Sequence, residues 1–249
     1  MVGDVDSVRG WVRDASRVTV LTGAGVSTPS GIPDFRGPDG LWTKDPSAAA
    51  MFDIDRYRAD PDLRRRAWLN RRDHPAWTAA PNPAHEAFVA LETSGRLRAL
   101  LTQNIDGLHQ AAGSSPEVVV ELHGTLFDAA CLDCGDRVPM RHMLDRVEAG
   151  EDDPQCAACG GIQRSATIAF GQALDRAVLD AAIEAASDCD VFLAAGTSLQ
   201  VNPAAGLCRV AQRAGARLVI ANGSMTPYDT VADAVLRDDL TEVLPAVVS

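Results

Sequence analysis

Lysine is almost missing from this chain: Lys44 is the single one among 23 basic residues, the other 22 being arginine. Aromatic residues are scarce at 5%, and acidic residues outnumber basic ones 34 to 23, giving a net charge of −11 at pH 7. The lysine shortage reads as the mark of a GC-rich coding sequence rather than of a function. The deficit of positive charge argues against direct nucleic-acid binding and against adhesion to anionic lipid, because a surface this negative repels phosphate. No apolar run reaches the ~18–20 residues that span a bilayer, so no membrane association is expected. The start, MVGDVDSVRGWVRD, mixes both charge signs without an apolar signal core, so export is not expected and the expected location is cytoplasmic. Repeats and low-complexity tracts are also lacking. What is present is 249 residues, 46% of them hydrophobic. That suffices for a buried core and, at roughly 100–200 residues per domain, for one large domain with a small satellite.

Short apolar runs end repeatedly at glycine or polar turns. Arg17–Leu21 leads into TGAGVST, Leu97–Thr102 into QNIDGLH, and Val118–Leu122 into His123-Gly124. Val191–Ala195 and Arg217–Ala221 end at Gly196-Thr197-Ser198 and Asn222-Gly223-Ser224. Runs without in/out alternation suit a parallel sheet covered on both faces. Helical spacing lies between them, over Ala84–Thr93, Leu174–Ser187 and Pro203–Ala214. The alternation predicts a doubly wound α/β domain of Rossmann type, in which ligands bind beyond the carboxyl ends of the strands. Two stretches break the pattern: 44–80, polar, arginine-rich and helical in character, and 126–164, which holds paired cysteines and an acidic loop. Both read as insertions that together build a smaller module.

Cys131-x-x-Cys134 is followed after 21 residues by Cys156-x-x-Cys159. Two such knuckles supply four thiolates for one tetrahedral zinc, with no open coordination position, hence a structural metal; two redox dithiols are the alternative. Cys189 and Cys208 lie in apolar surroundings and read as small core residues. Gly23-Ala24-Gly25-Val26-Ser27 directly after a strand lets backbone N–H groups approach a pyrophosphate, although Thr28 stands where a third glycine would complete the dinucleotide fingerprint. Gly31–Arg36 (GIPDFR) then sets an acid, an aromatic and a cation in one short loop. Thr102–His109 (TQNIDGLH) places two amides and a carboxylate at a strand end, within reach of ribose hydroxyls or a carboxamide. His123 closes the next strand, where an imidazole can serve as a base.

GAGVS, GIPDFR, TQNIDGLH, His123-Gly124, the four cysteines, Phe170-Gly171, GTSLQVNPAA (196–205) and Asn222 occur in the order seen in sirtuins. From about residue 17 to about 245 the chain resembles that family. The resemblance implies an NAD-dependent protein-lysine deacylase with acyl-lysine protein substrates, NAD as co-substrate and one structural zinc per chain. It implies a large domain from 1–43, 81–125 and 165–249, and a small one from a helical module (44–80) and a zinc-ribbon module (126–164). Gly23, Ala24, Gly25 and Ser27 would cradle the pyrophosphate, and Asp34, Phe35 and Arg36 would lie on the cofactor loop. Gln103 would contact the nicotinamide ribose, while Asn104, Asp106 and the Ile105 amide would line the nicotinamide site. Gly196, Thr197 and Ser198 would face the phosphates and adenosine; Asn222, Gly223 and Ser224 would take the adenine ribose, with Leu240 near adenine. Ile168, Phe170 and Gly171 match the segment that pairs with the substrate backbone. His123 and Asn104 would be catalytic, His123 as the base for a ribose hydroxyl on the way to O-acyl-ADP-ribose.

Three positions depart from the family pattern. Ser165 stands where many members have proline, and Gln172 where many have glutamate. Sirtuins that prefer succinyl or malonyl groups resemble one another in a Tyr-x-x-Arg pair, whose nearest counterpart here is Trp68-Leu69-Asn70-Arg71. With Arg71 kept as a substrate-binding residue and Trp68 filling more of the tunnel, neutral short acyl groups are expected to be favoured over succinyl; a core anchor at Trp68 and a solvated charge at Arg71 are the plainer alternative. ADP-ribosyl transfer from the same NAD is a second enzymatic reading, and a non-catalytic NAD-sensing or zinc-ribbon module a third. The protein substrate and the oligomeric state are left open, a monomer being admissible.

Overall fold

The computed structural model describes residues 4–37 and 40–249. Met1–Gly3 and Pro38–Asp39, which the expected segment 1–43 includes, lie outside the described residues. Nine strands occur among the described residues: β1 Val18–Thr22, β2 Leu97–Thr102, β3 Val119–Glu121, β4 Gly124–Cys131, β5 Arg137–Pro139, β6 Gln163–Thr167, β7 Val191–Ala195, β8 Arg217–Ala221 and β9 Ala234–Leu236. Six form one parallel sheet in the order β3-β2-β1-β7-β8-β9.

Both faces of this sheet are covered, as the apolar runs require. Every residue of β1 and β7 is buried. Val18, Val20, Leu100 and Val219 share one core with the helices Val5–Asp14, Pro83–Thr93 and Leu240–Val248. Leu21, Leu101, Phe192 and Ile220 share the other with Arg176–Ser187 and Leu207–Arg213. The last helix is shorter than the expected Pro203–Ala214, because Ala204–Gly206 winds as a separate 3-10 turn. The chain runs from β1 to β2 on one side and later fills β7 on the other. The strand order therefore reverses beside β1, which opens a crevice at the carboxyl ends of β1 and β7.

The remaining strands make a small antiparallel sheet, β5-β4-β6. It overlaps the expected limits 126 and 164, since β4 starts at Gly124 and β6 runs on to Thr167. The stretch 44–80 folds mainly as helices, Ile54–Ala59 and Pro61–Arg72 being the longest after the turn Pro46–Phe52. Asp53 and Asp60 start these two helices by accepting backbone N–H bonds, and Pro61 presets the first turn of the second. The two insertions share one core: Trp68 packs with Ala129, Met140, Met143 and Leu144. An ion pair between Arg64 and Asp153 at 2.8 Å, with both side chains largely buried, joins them again.

Candidate active site

Two glycine turns meet where β1 and β7 end. Gly23 donates to the Ala195 carbonyl at 3.1 Å, Gly25 to Gly196 at 2.9 Å, and Gly196 to Ala221 at 2.9 Å. A Cβ added to Gly25 would lie 2.9 Å from Gly196 Cα, and one on Gly196 would lie 2.5 Å from the Val26 nitrogen. Gly196 also has φ +61°, a left-handed conformation that side chains other than glycine's strain to reach. Only bare backbone fits this contact. Ala24–Val26 forms a single 3-10 turn rather than the long helix of a complete dinucleotide fingerprint.

Beside the turns, the end of β2 presents an ordered row of polar groups. Asn104 Nδ2 donates to the Gly23 carbonyl and to Ser27 Oγ, both at 3.1 Å. Ser27 Oγ donates to Asp106 Oδ2 at 2.8 Å, and the Leu108 amide donates to Asp106 Oδ1 at 3.0 Å. Gln103 Nε2 donates to Thr197 Oγ1 at 2.9 Å, tying β2 to the loop after β7. The Ile105 carbonyl accepts from Leu126 at 3.0 Å, which fixes that peptide against β4. Asn104, Asp106, Ser27 and Thr197 are all buried, and Ser198 is partly exposed.

His123 lies next to this row, with Nδ1 3.1 Å from the Gln103 carbonyl oxygen. A carbonyl only accepts, so Nδ1 carries the proton and Nε2 keeps its lone pair. Burial pushes the imidazole below its ordinary pKa of 6.5, while the Gln103 carbonyl pulls the other way. The ring is thus a neutral base at pH 7. Its own carbonyl accepts from the Ile168 amide at 2.9 Å, which ties His123 to the segment after β6.

That segment is clamped from two sides. Phe170 donates to the Phe52 carbonyl at 2.7 Å and accepts from the Ile54 amide at 3.1 Å, pinning it to the helical insertion. Gln172 Oε1 accepts from Arg164 at 2.6 Å and from the Ala169 amide at 2.9 Å. Gly171 sits at φ +89°. The ring of Phe170 remains 43% exposed and meets Trp42, which with Phe35 and Phe52 forms an aromatic cluster. Arg36 stacks over Trp42 at 4.4 Å, and Asp34 Oδ1 accepts from the Gly37 amide at 2.9 Å, so Asp34 shapes the loop itself.

On the far side, Asn222 Nδ2 donates to the Ser224 carbonyl at 2.8 Å. Arg237 donates to the carbonyls of Asn222 and Ser224 and is paired with Asp229, so it braces the loop that carries Gly223. Leu240 opens the last helix and packs partly on the core.

The cysteines come together as the spacing predicts. Their four sulfurs lie within 4.8 Å of one another, with Cys131–Cys159 at 3.5 Å and Cys134–Cys156 at 3.7 Å. Tetrahedral zinc with Zn–S bonds of about 2.3 Å calls for S···S separations of about 3.8 Å. The four sulfurs converge on one point instead of standing as two separate pairs, so the cluster suits one shared metal better than two independent dithiols. Amides of Asp133 and Gly161 donate to Cys131 and Cys159 Sγ at 3.4 and 3.3 Å, which favours thiolate ligands.

Trp68 and Arg71 are both buried. Trp68 is only 2% exposed and packs in the small-module core, as the core-anchor alternative has it. Arg71 is not a solvated charge: its guanidinium donates to Ser165 Oγ at 3.0 Å, and burial together with neighbouring Arg164 brings its pKa down to about 10. Its hydrogen bonds run to Ser165 on β6 and, at the backbone, from Trp77, rather than to His123, Asn104 or the glycine turns. Residues the sequence reading passed over are Thr22, Thr102, Arg164, Arg237 and the buried His85 and His109. Thr22 stood at the head of TGAGVST, and Thr102 and His109 at the two ends of TQNIDGLH; the others carried no signal.

A sequence model described as the Sir2 family matches residues 23–203. The chain is 55% identical over 229 residues to NAD-dependent protein deacetylase 2 of Streptomyces coelicolor, covering 92% of this chain and 95% of that protein. Its fold is similar to that of a Sir2 histidine-to-alanine variant with deacetylated p53 peptide and 3′-O-acetyl-ADP-ribose, at TM-score 0.90 and 35% identity over 98% of this chain and 97% of the other. It is also similar to Sir2Tm bound to a propionylated peptide, at TM-score 0.87 and 33% identity over 98% and 97% of the two chains. With the glycine turns, the TQNID row, His123 and the four-cysteine cluster assembled on this sheet, the chain belongs to the Sir2 family.

Proposed function

We propose that the chain is an NAD-dependent protein-lysine deacylase, taking acetyl and other short neutral acyl groups and yielding nicotinamide, free lysine and O-acyl-ADP-ribose. The observation that carries this reading is the state of His123, whose proton is committed to the Gln103 carbonyl at 3.1 Å, which leaves the Nε2 lone pair basic. A non-catalytic NAD-sensing module would have no use for a neutral, oriented imidazole at that point.

When bound, NAD supplies a cationic glycosidic bond whose leaving group departs as neutral nicotinamide. Gly23, Ala24, Gly25 and Ser27, with Gly196, Thr197 and Ser198, form the floor on the phosphate side, where the turns leave bare backbone. Asp106 and the Ile105 amide orient the carboxamide, Gln103 and Asn104 hold the ribose end, and Phe35 and Arg36 cover it. Asn222, Gly223, Ser224 and Leu240 take the adenosine side. His123 Nε2 accepts the proton of a ribose hydroxyl. The backbone of Phe170 is already used by Phe52 and Ile54, so the Ile168 carbonyl and Gly171 meet the acyl-lysine peptide. Cys131, Cys134, Cys156 and Cys159 would hold zinc with no coordination position left for substrate, so the metal would serve the fold rather than the reaction.

The large domain comprises 1–43, 81–125 and 165–249, and the small one 44–80 with 126–164; the shared core around Trp68 supports the pairing of the two insertions. No helix among the described residues is long and apolar enough to cross a membrane. None of the six cysteines is in a disulfide, which suits a reducing compartment and supports a cytoplasmic location. The net charge of −11 supports a protein rather than a nucleic-acid partner.

The deciding experiment is mass spectrometry of an acetyl-lysine peptide incubated with the enzyme and NAD. Loss of the acyl group with release of O-acetyl-ADP-ribose is expected. Gain of ADP-ribose on the peptide would replace this reading by the transferase one, and an unchanged peptide would remove both.

A further inference from the structure

Two histidines with no part in the chemistry above are sealed inside the large domain. His85 and His109 are 0% and 1% exposed, and their ring centroids are 4.9 Å apart. Each keeps one buried nitrogen without a partner, Nε2 on His85 and Nδ1 on His109. The other two nitrogens are engaged. The Asn82 amide lies 3.3 Å from His85 Nδ1, within the capping box that starts the helix Pro83–Thr93. His109 Nε2 lies 2.9 Å from Thr22 Oγ1. Thr22 Oγ1 lies 2.9 Å from Thr102 Oγ1, which accepts from the Asn104 backbone amide at 3.0 Å.

Two fixed points settle the directions in this chain: the Asn82 amide can only donate, and the Thr22 hydroxyl spends its one proton on Thr102, so it accepts from His109 Nε2. His85 Nδ1 therefore accepts, and its proton sits on Nε2. A proton on His109 Nδ1 would then set two unpaired donors in adjoining dry rings, which is costly. His109 must instead carry its proton on Nε2 and donate to Thr22. Thr22 in turn donates to Thr102, and Thr102 is left as an acceptor for Asn104. Burial holds both histidines below their ordinary pKa, His109 down to about 3, which disfavours the second proton that would break the sequence.

We propose that His109, set by His85, is a positioning residue for Asn104, fixing through Thr22 and Thr102 the acceptor that holds the Asn104 backbone. The kinetic half of this inference rests on the deacylase reading; the tautomer half does not. Long-range 1H–15N correlation spectra of the full-length protein should show His109 and His85 neutral, each with its proton on Nε2. In turnover with NAD and acetyl-lysine peptide, Thr102→Val, nearly isosteric but without the acceptor, should lose about tenfold to a hundredfold in kcat, the scale of a small misplacement of a reacting group. KM for the peptide should stay within about twofold, as for an interaction felt in the transition state. His109→Leu should behave alike, and His109→Gln, which keeps a donor towards Thr22, should recover most of the loss. A proton found on His109 Nδ1, or near wild-type kcat in a folded Thr102→Val protein, would overturn the proposal. A wild type that releases no nicotinamide would instead sink the deacylase reading, and the spectra would still decide the tautomer.

Discussion

His123 acts through its tautomer. With Nδ1 tied to the Gln103 carbonyl, His123→Ala removes the basic lone pair on Nε2 together with that one hydrogen bond. Deacylation should fall by about two to four orders of magnitude, the range for a lost general base, while NAD titration stays close to wild type. Because burial lowers its pKa, His123 is neutral above 6.5 and stays so somewhat below it. The acid limb of kcat/KM should therefore lie under pH 6.5 and vanish in His123→Ala. Trp68 is the opposite kind of residue. Trp68→Ala should cost about 3–5 kcal/mol of small-module stability, read as a fall in Tm. Since the ring lies in that core, Trp68→Tyr should leave the acetyl-to-succinyl ratio of kcat/KM unchanged, and a shift towards succinyl would place Arg71 in the acyl site after all.

Among the elements, the paired glycine turns and the zinc cluster are the least forgiving. Gly196→Ala forces a Cβ to within 2.5 Å of the Val26 nitrogen at φ +61°. The backbone strain alone is about 1–3 kcal/mol, and the displaced turn should weaken NAD binding in calorimetry. Cys156→Ser should lose about one equivalent of zinc by metal analysis, because binding of a structural zinc is coupled to folding. The helix Pro61–Arg72 should loosen with it, as Trp68 and Arg64 rest on the zinc module; hydrogen exchange over that helix would report this. Zinc-free protein with an unchanged helical module would contradict the shared core.

For the whole molecule, acid is the sensitive direction. His109 is held down to about 3 and His74 to about 4 by burial, and His85 is lowered as well. The unfolded chain takes up these protons first, near pH 6.5, so the stability present above that pH is lost as pH falls towards the folded values. Tm should decline between pH 6.5 and about 3, and His109→Leu should show a shallower decline if it folds. The five strands of the large sheet expected from apolar runs all form, three of them with the expected ends. β9, three residues long, leaves no run to read, whereas the helices Val5–Asp14 and Leu240–Val248 were passed over although Asp4 and Asp239 cap them. The four cysteines, the glycine turns and the TQNID row were legible because each clusters its chemistry within a few residues.

Local sequence alone determined the parallel sheet, the zinc knuckles and the family, because strand burial, thiolate spacing and backbone-only turns each leave a short-range pattern. Tertiary structure decided the rest. It carried Trp68 into the core of a module whose other half lies some sixty residues further on, and set Arg71 against Ser165. It braced the adenosine-side loop with Arg237 and sealed His85 beside His109. These depend on which faces of distant elements meet, and the pattern of neighbouring residues holds no record of that meeting. The tautomer of His123 belongs with them, since it follows from the carbonyl of Gln103, just past the end of β2.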